Sequence, residues 1–206
     1  MIKLNYLPKA LPIFIFILFF PTSIYAQNLF GNHLSGGVDV GFARFTNNDN
    51  GLGTGFSIRA YGEYTFAPHL SLTLFGGYIE FDENITLGSG TFSTTEPTRF
   101  DEAYVTGGIR ARLVPIGGFV PYIMGGAGVY NGHKEIVTLI TPGIADTTRT
   151  IQSNDFGFNV GGGFEYFLNK NVSLTLEVLL HSIQGDIDEE ILDITGGLRY
   201  IPISVK

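Results

Sequence analysis

The sequence predicts an all-β fold, an eight-stranded antiparallel up-and-down barrel that crosses a membrane, with short turns at one end and longer loops at the other. Three observations predict it. Apolar residues recur with a period of two, about eight such stretches follow one another between Gly, Pro, Asn and Asp clusters, and a leader-like apolar segment stands at the amino end. A period of two sorts side chains onto the opposite faces of a strand, because successive residues point to opposite sides of the pleat. The stretch 172–184 is the clearest case: Val172, Leu174, Leu176, Val178 and Leu180 share one face, and Ser173, Thr175, Glu177 and His181 share the other.

Residues 1–26 carry Lys3 and Lys9, no acidic residue, an apolar run over 10–20, Pro21, and a small-residue site ending in Ile24-Tyr25-Ala26. This is the layout of a secretory signal peptide, with 27–206 as the mature barrel domain. The run falls short of the roughly 20 residues of a membrane helix, and Pro12 and Pro21 interrupt its ends. The chain has no Cys, which excludes thiol chemistry, disulfides and a lipoprotein anchor. Loss of Lys3 and Lys9 takes the 12 basic residues to 10 against 19 acidic ones, a net charge of −9 that argues against a nucleic-acid partner. After the leader, no stretch free of Gly, Pro and charge has the length of a membrane helix, so any crossing must be made by strands. The 28 glycines and 14% aromatic content suit bent strands and interfacial girdles.

Strands are expected at 34–45, 54–66, 70–81, 100–113, 121–133, 154–168, 172–184 and 191–201. The first sets Asp39 on a polar face. In the second, Phe56, Ile58, Ala60, Tyr64 and Phe66 oppose Arg59 and Glu63; the third contributes Leu70, Leu72 and Leu74. In the fourth, Ala103, Val105, Ile109 and Leu113 oppose Glu102, Arg110 and Arg112, and the fifth carries Tyr122 and Tyr130 near its two ends. Phe156, Phe158, Val160, Phe164 and Tyr166 oppose Glu165 in the sixth, and Leu192, Ile194, Leu198 and Tyr200 oppose Asp193 and Arg199 in the eighth. Connections at 67–69, 114–120 and 169–171 are tight, whereas those at 47–53, 82–99, 134–153 and 185–190 are mostly longer and rich in Thr, Ser, Asp and Gly. Short turns then face the periplasm and long loops the cell exterior. Strand patterns inside two of the loops, at 85–87 with 91–92 and at 136–140, predict hairpins that protrude beyond the membrane.

Two features choose which face points inward. The polar face mixes charge signs along several strands, as a packed interior requires, and aromatics gather at the strand ends: Tyr64, Phe66, Tyr122, Tyr166 and Tyr200 at the short-turn end, Phe42, Phe56, Tyr78, Tyr104, Tyr130 and Phe156 toward the loops. A soluble barrel would reverse the faces. The expected interior is a network of paired charges built from Asp39, Arg59, Glu63, Arg110, Arg112, Glu165, Glu177, His181, Asp193 and Arg199, with Asp39 near Arg199 across the closing seam and Glu63 near Arg59 or Arg110. Eight strands leave a lumen just wide enough for side chains to fill, which disfavours a general porin.

Over 34–201 the pattern resembles the small outer-membrane barrels of the OmpA/OmpX type, including Pro121-Tyr122-Ile123-Met124-Gly125-Gly126-Ala127-Gly128 and Thr195-Gly196-Gly197-Leu198-Arg199-Tyr200. The resemblance implies a bacterial outer-membrane location, contact with lipid and lipopolysaccharide, and no catalytic signature. It departs at the end of the chain, where such barrels close on an aromatic residue read by the assembly machinery; here Tyr200 is followed by Ile201-Pro202-Ile203-Ser204-Val205-Lys206. The peptidoglycan-binding domain of full-length OmpA relatives is not expected.

No catalytic residue, cofactor or metal is expected. His181-Ser182 invites comparison with barrel lipid A deacylases, but adjacent residues on a strand face opposite ways and cannot share a proton directly. His33, His69 and His133 fall at strand ends with no triad or metal cluster among them. Oxygen-rich segments at 186–190 and 47–51 lack the spacing of a calcium loop, and Arg44, on the apolar parity at the outer rim, suits either a lipopolysaccharide phosphate or snorkelling into water. The expected protein is a monomeric, non-enzymatic barrel acting through its outer loops in surface interaction, adhesion or envelope integrity, with an extracellular protein or host surface as partner. A narrow porin-like ion channel and a lipid A-modifying barrel enzyme are the alternatives.

Overall fold

The structure, a computed structural model, describes residues 33–46, 53–82, 95–138, 147–185 and 189–202. The predicted leader at 1–26, the loop at 47–51 and the hairpin tips at 85–94 and 141–143 lie outside these residues. Eight strands, β1 (His33–Phe45), β2 (Thr54–Ala67), β3 (Leu70–Asp82), β4 (Thr95–Arg112), β5 (Phe119–Thr138), β6 (Thr147–Phe167), β7 (Val172–Gln184) and β8 (Glu189–Tyr200), pair antiparallel in chain order. The sheet then closes on itself through β1 and β8, with Val38 opposite Leu198 and Phe42 opposite Ile194. Closure leaves the membrane-spanning part without an edge, so its backbone groups pair within the protein, the condition for crossing lipid with strands. Among the described residues no helix is long and apolar enough to cross a membrane.

The tight turns follow from local chemistry. His69, after Pro68, takes the left-handed conformation (φ 72°) that reverses the chain between β2 and β3, and Gly117 (φ 63°) does the same between Ile116 and Phe119. At the β6–β7 turn, the Asn169 side-chain oxygen accepts hydrogen bonds from the backbone N–H of Asn171 (2.8 Å) and Val172 (3.0 Å).

Leu74, Val105, Ile109, Val160, Leu176, Ile194 and Leu198 are exposed on the outside of the barrel, while Asp39, Arg59, Glu63, Arg110, Glu165, Glu177 and Arg199 are buried within it. Tyr64, Phe66, Phe164 and Tyr200 are exposed at the short-turn end, as are Phe42, Phe56 and Phe156 toward the loops. Four expected girdle members differ: Tyr166 is buried beside the Phe119 ring, 5.1 Å away, and Tyr104, Tyr122 and Tyr130 are buried in the lumen. The parity of the latter three is that of the buried charges, and inward-facing glycines make room for them. Gly77 lies opposite Tyr104 and Gly163 opposite Tyr122, and a Cβ at either glycine would run into the tyrosine ring.

Two further departures from the sequence reading concern length and lumen content. β4 begins at Thr95 rather than 100 and β6 at Thr147 rather than 154, while β5 runs past 133 to Thr138 and pairs there with β6, as the strand pattern expected at 136–140 requires. The loop-side half of the lumen is apolar as well as polar: Phe45, Phe81 and Phe100 pack with ring centroids 4.3 to 6.0 Å apart, joined by Ile79, Leu179, Ile183 and Ile191. At the turn side, Val120, Phe167 and Ile201 form a second buried apolar cluster.

Two outcomes follow for unfolding free energies in lipid vesicles. Leu176→Arg, which sets a charge against lipid, lowers stability by about 2–4 kcal/mol, while Gln184→Arg, exposed beyond the apolar band, changes it by less than about 0.5 kcal/mol. Gly77→Val overpacks the Tyr104 ring and costs about 1–3 kcal/mol, whereas Gly76→Ala, outward and with only Tyr104 carbonyl oxygen within reach, is tolerated.

Candidate functional site

The lumen-facing polar residues of all eight strands meet in one network at the middle and turn side of the barrel. Asp39 on β1 lies directly opposite Arg59 on β2, and the Arg59 guanidinium donates to it at 2.6 Å while reaching Glu177 at 2.6 Å and Thr195 at 3.2 Å. Thr175 donates its hydroxyl to the other Asp39 oxygen at 2.9 Å. Glu63 gathers three arginines: Arg110 (2.8 Å), Arg112 (2.5 Å) and Arg199 (2.7 Å). Arg199 also binds both oxygens of Glu165, at 2.7 and 2.8 Å, and Ser35 at 2.7 Å. Arg112 completes the set with Glu165 at 3.3 Å and Ser71 at 2.8 Å.

Aromatic rings set the ceiling of this layer. Arg110 lies 4.3 Å above the Tyr122 ring centroid and 5.2 Å from that of Tyr61, and Arg59 lies 5.0 Å from that of Phe75. Tyr122 donates its hydroxyl to Glu177 at 2.8 Å, and Arg110 reaches the same oxygen at 3.1 Å. Four guanidinium groups are thus matched by four carboxylates, Asp39, Glu63, Glu165 and Glu177, in a layer the solvent does not reach. Buried charges are held only under such pairing.

The expected Asp39–Arg199 contact is not made. Across the seam Asp39 faces Gly197 and Arg199 faces Gly37, which sets the two side chains one step apart along the barrel. Asp39 is taken by the directly opposite Arg59, and Arg199 reaches Glu63 and Glu165 instead; of the two partners expected for Glu63, Arg110 is the one it binds. The sequence reading placed Ser173 and Thr175 on the polar face but gave them no part in the network, and it missed Ser35 and Ser71; the four hydroxyls occupy the remaining acceptor and donor positions. Ser35, Ser173 and Thr175 share the parity of Asp39 and Glu177 on their own strands, whereas β3 brings no charge of Ser71's parity to signal it.

His181 and Asp193 lie apart from this layer, toward the loops. His181 is fully buried, its Nδ1 is 3.0 Å from the Tyr130 hydroxyl, and its Nε2 stands 3.9 Å from Asp193, which accepts from the Ser57 hydroxyl at 3.0 Å. Higher still, Lys134 binds Glu189 at 3.0 Å inside the lumen, and outside it Asp101 faces His133 at 3.6 Å and Arg99 at 3.6 Å. Among the described residues, no three His, Asp or Glu side chains are placed to hold a metal ion.

Residues 13–200 match the outer membrane protein beta-barrel domain family. No curated protein matches the chain. Among solved structures, a major outer membrane protein from Thermus thermophilus is similar with a TM-score of 0.52 at 16% identity, over 82% of this chain and 99% of that one. Neisserial surface protein A aligns with a TM-score of 0.49 at 17% identity, over 82% and 96%. The attachment invasion locus protein Ail of Yersinia pestis aligns at 0.48 and 11%, over 82% and 97%.

Removing one member of the network leaves its partners charged and buried. Glu63→Gln, which strips three arginines of a shared carboxylate, lowers the unfolding free energy in vesicles by about 3–5 kcal/mol. Adding Arg112→Met recovers part of that loss; strict additivity of the two substitutions would show that the pair does not interact.

Proposed function

The chain belongs to the outer membrane protein beta-barrel domain family and lies in the bacterial outer membrane, and from that premise we propose that it is a non-enzymatic surface-interaction protein which binds an extracellular partner through its outer strands and loops. In this reading residues 1–26 are the export leader, 27–206 the barrel domain, and the monomer meets lipid and lipopolysaccharide along its apolar band. The buried charge network holds the barrel closed.

One observation carries the proposal: the sheet formed by β4, β5 and β6 continues past its neighbours. β3 ends at Asp82 opposite Arg99, and β7 reaches only Phe156 of β6, yet β5 pairs with β4 as far as Thr95 and with β6 as far as Thr147. Eight residues of β6, 147–154, therefore have no strand pairing on the β7 side among the described residues, an edge of about 27 Å at 3.3 to 3.4 Å per residue. An extended segment of another protein adds to such an edge through main-chain hydrogen bonds. The edge side chains Thr150, Gln152 and Asn154 are exposed and polar, which keeps it soluble while it is free.

The placement of His181 supports a non-enzymatic role. Its ring lies between Tyr104 and Tyr130, with centroids at 5.1 and 5.9 Å, inside a barrel whose Ser182 points to the opposite face. A lipid on the outer surface meets the Ser182 hydroxyl there without the imidazole that would take its proton. His181→Ala consequently leaves the lipid A of the host cell chemically unchanged by mass spectrometry; altered lipid A would revive the enzyme reading.

Replacing 136–147, or 85–94, by a short turn is expected to abolish binding of intact cells to their partner surface while the barrel still folds and shifts on an unheated gel. Full binding by both shortened proteins would overturn the proposal.

A further inference from the structure

The two faces of the β6 edge differ in chemistry, and the difference selects what can pair with it. On the β5 side, Thr147 to Asn154 stand in register with Thr138 to Asn131. On the other side β7 ends at Gln184, opposite Phe156, and β8 begins at Glu189. Four residues join those two strands, and a connection of that length that goes out and returns runs beside about two positions of a neighbouring strand. It reaches Ser153 and Asn154 at most, so the turn between β7 and β8 cannot cover 147–152.

Thr150, Gln152 and Asn154 are exposed on the outward face of this edge. The face turned to the barrel axis changes along its length. Ser153 is buried and donates to Asp155 at 2.8 Å, and Ile151 is partly buried against the apolar cluster that contains Phe45, Phe81 and Phe100. Arg149, two residues further out, is exposed, lies opposite Ile136 and makes no ion pair among the described residues. Lys134, opposite Ile151 on the same face, is bound to Glu189. A strand added beside β6 sets alternate side chains against Arg149 and Ile151 on one face and against Thr150 and Gln152 on the other.

We propose that this edge, in the surface-interaction role on which the inference rests, takes an extended segment of an extracellular protein antiparallel to β6, with an aliphatic residue opposite Ile151 and an acidic residue opposite Arg149. The antiparallel direction continues the alternation of the sheet, and such pairs are slightly more stable per residue than parallel ones. The aliphatic side chain covers what remains exposed of Ile151, and the acid supplies the counter-charge that Arg149 lacks. In chain order the segment therefore reads aliphatic, polar, acidic, the polar residue meeting Thr150. A second copy of β6 does not supply this motif, because its described acids, Asp155 and Glu165, are buried inside the barrel.

The test is an amide chemical-shift titration of the isotope-labelled full chain in phosphatidylcholine nanodiscs, at fixed ionic strength, with the blocked peptide Thr-Ser-Thr-Ile-Thr-Glu-Thr-Ser. Shifts are expected at 147–154 and at the β5 residues beside them. A peptide with Lys in place of Glu is expected to bind the wild type about fivefold more weakly, and Arg149→Glu to reverse that preference. N-methylation of the alternate peptide amides that face β6 is expected to abolish binding, and N-methylation of the other set to leave it. Binding that ignores the charge reversal or survives both methylation patterns would overturn the inference, as would the absence of shifts at millimolar peptide. If intact cells still need 136–147 to bind their partner surface while no peptide engages the edge, the inference falls and the surface-interaction role stands.

Discussion

Four guanidinium groups lie inside this barrel where bulk water does not reach, and the rest of the molecule is organised around keeping them paired. The pairing is shared rather than one to one: Glu63 serves Arg110, Arg112 and Arg199, Glu165 serves Arg112 and Arg199, and Glu177 serves Arg59 and Arg110. These residues come from β2, β4, β6, β7 and β8, and Asp39 brings in β1, so a network that closes only when the strands are in register couples the wall to its contents. A slip of one residue on any of those strands would turn a charge out to lipid and a leucine inward, at a cost of several kcal/mol for the charge alone.

The apolar clusters at either side of the charged layer serve the same constraint. Phe45, Phe81 and Phe100 with Ile79, Ile183 and Ile191 cover it from the loop side, and Val120, Phe167 and Ile201 from the turn side. Excluding water strengthens the ion pairs between them, since Coulomb attraction grows as the local dielectric falls. Outside the membrane-spanning wall, the sheet of β4, β5 and β6 extends past its neighbours, with Thr150, Gln152 and Asn154 exposed along β6.

Much of this was legible in the sequence because a barrel strand alternates strictly. Parity sorted Leu74, Val160 and Leu176 from Arg59, Glu165 and Glu177, and the turn chemistry of Pro68-His69 and Gly117 bounded the strands. Parity states which residues share the lumen and says nothing about which of them touch. Contact across a barrel depends on register and stagger, so Asp39 was assigned to Arg199 at the seam when the directly opposite residue, Arg59, takes it. Tyr104, Tyr122 and Tyr130 were misplaced for a related reason: their position along the strand suggested an interface, while their parity and the inward glycines Gly77 and Gly163 put them in the lumen. The loop-side apolar cluster was hidden because Phe45, Phe81 and Phe100 come from strand ends distant in sequence. The early start of β4 and β6 was missed where polar, Thr-rich segments give no alternation to read.

The central claim is that the charge network and its two apolar covers seal the barrel. Recording current across planar bilayers that contain the purified full chain at neutral pH tests it most directly. A sealed lumen predicts membrane insertion with no stable unitary conductance in potassium chloride, whereas reproducible ohmic steps from the folded protein would show a continuous path past Arg59, Arg110 and Glu63 and contradict the account.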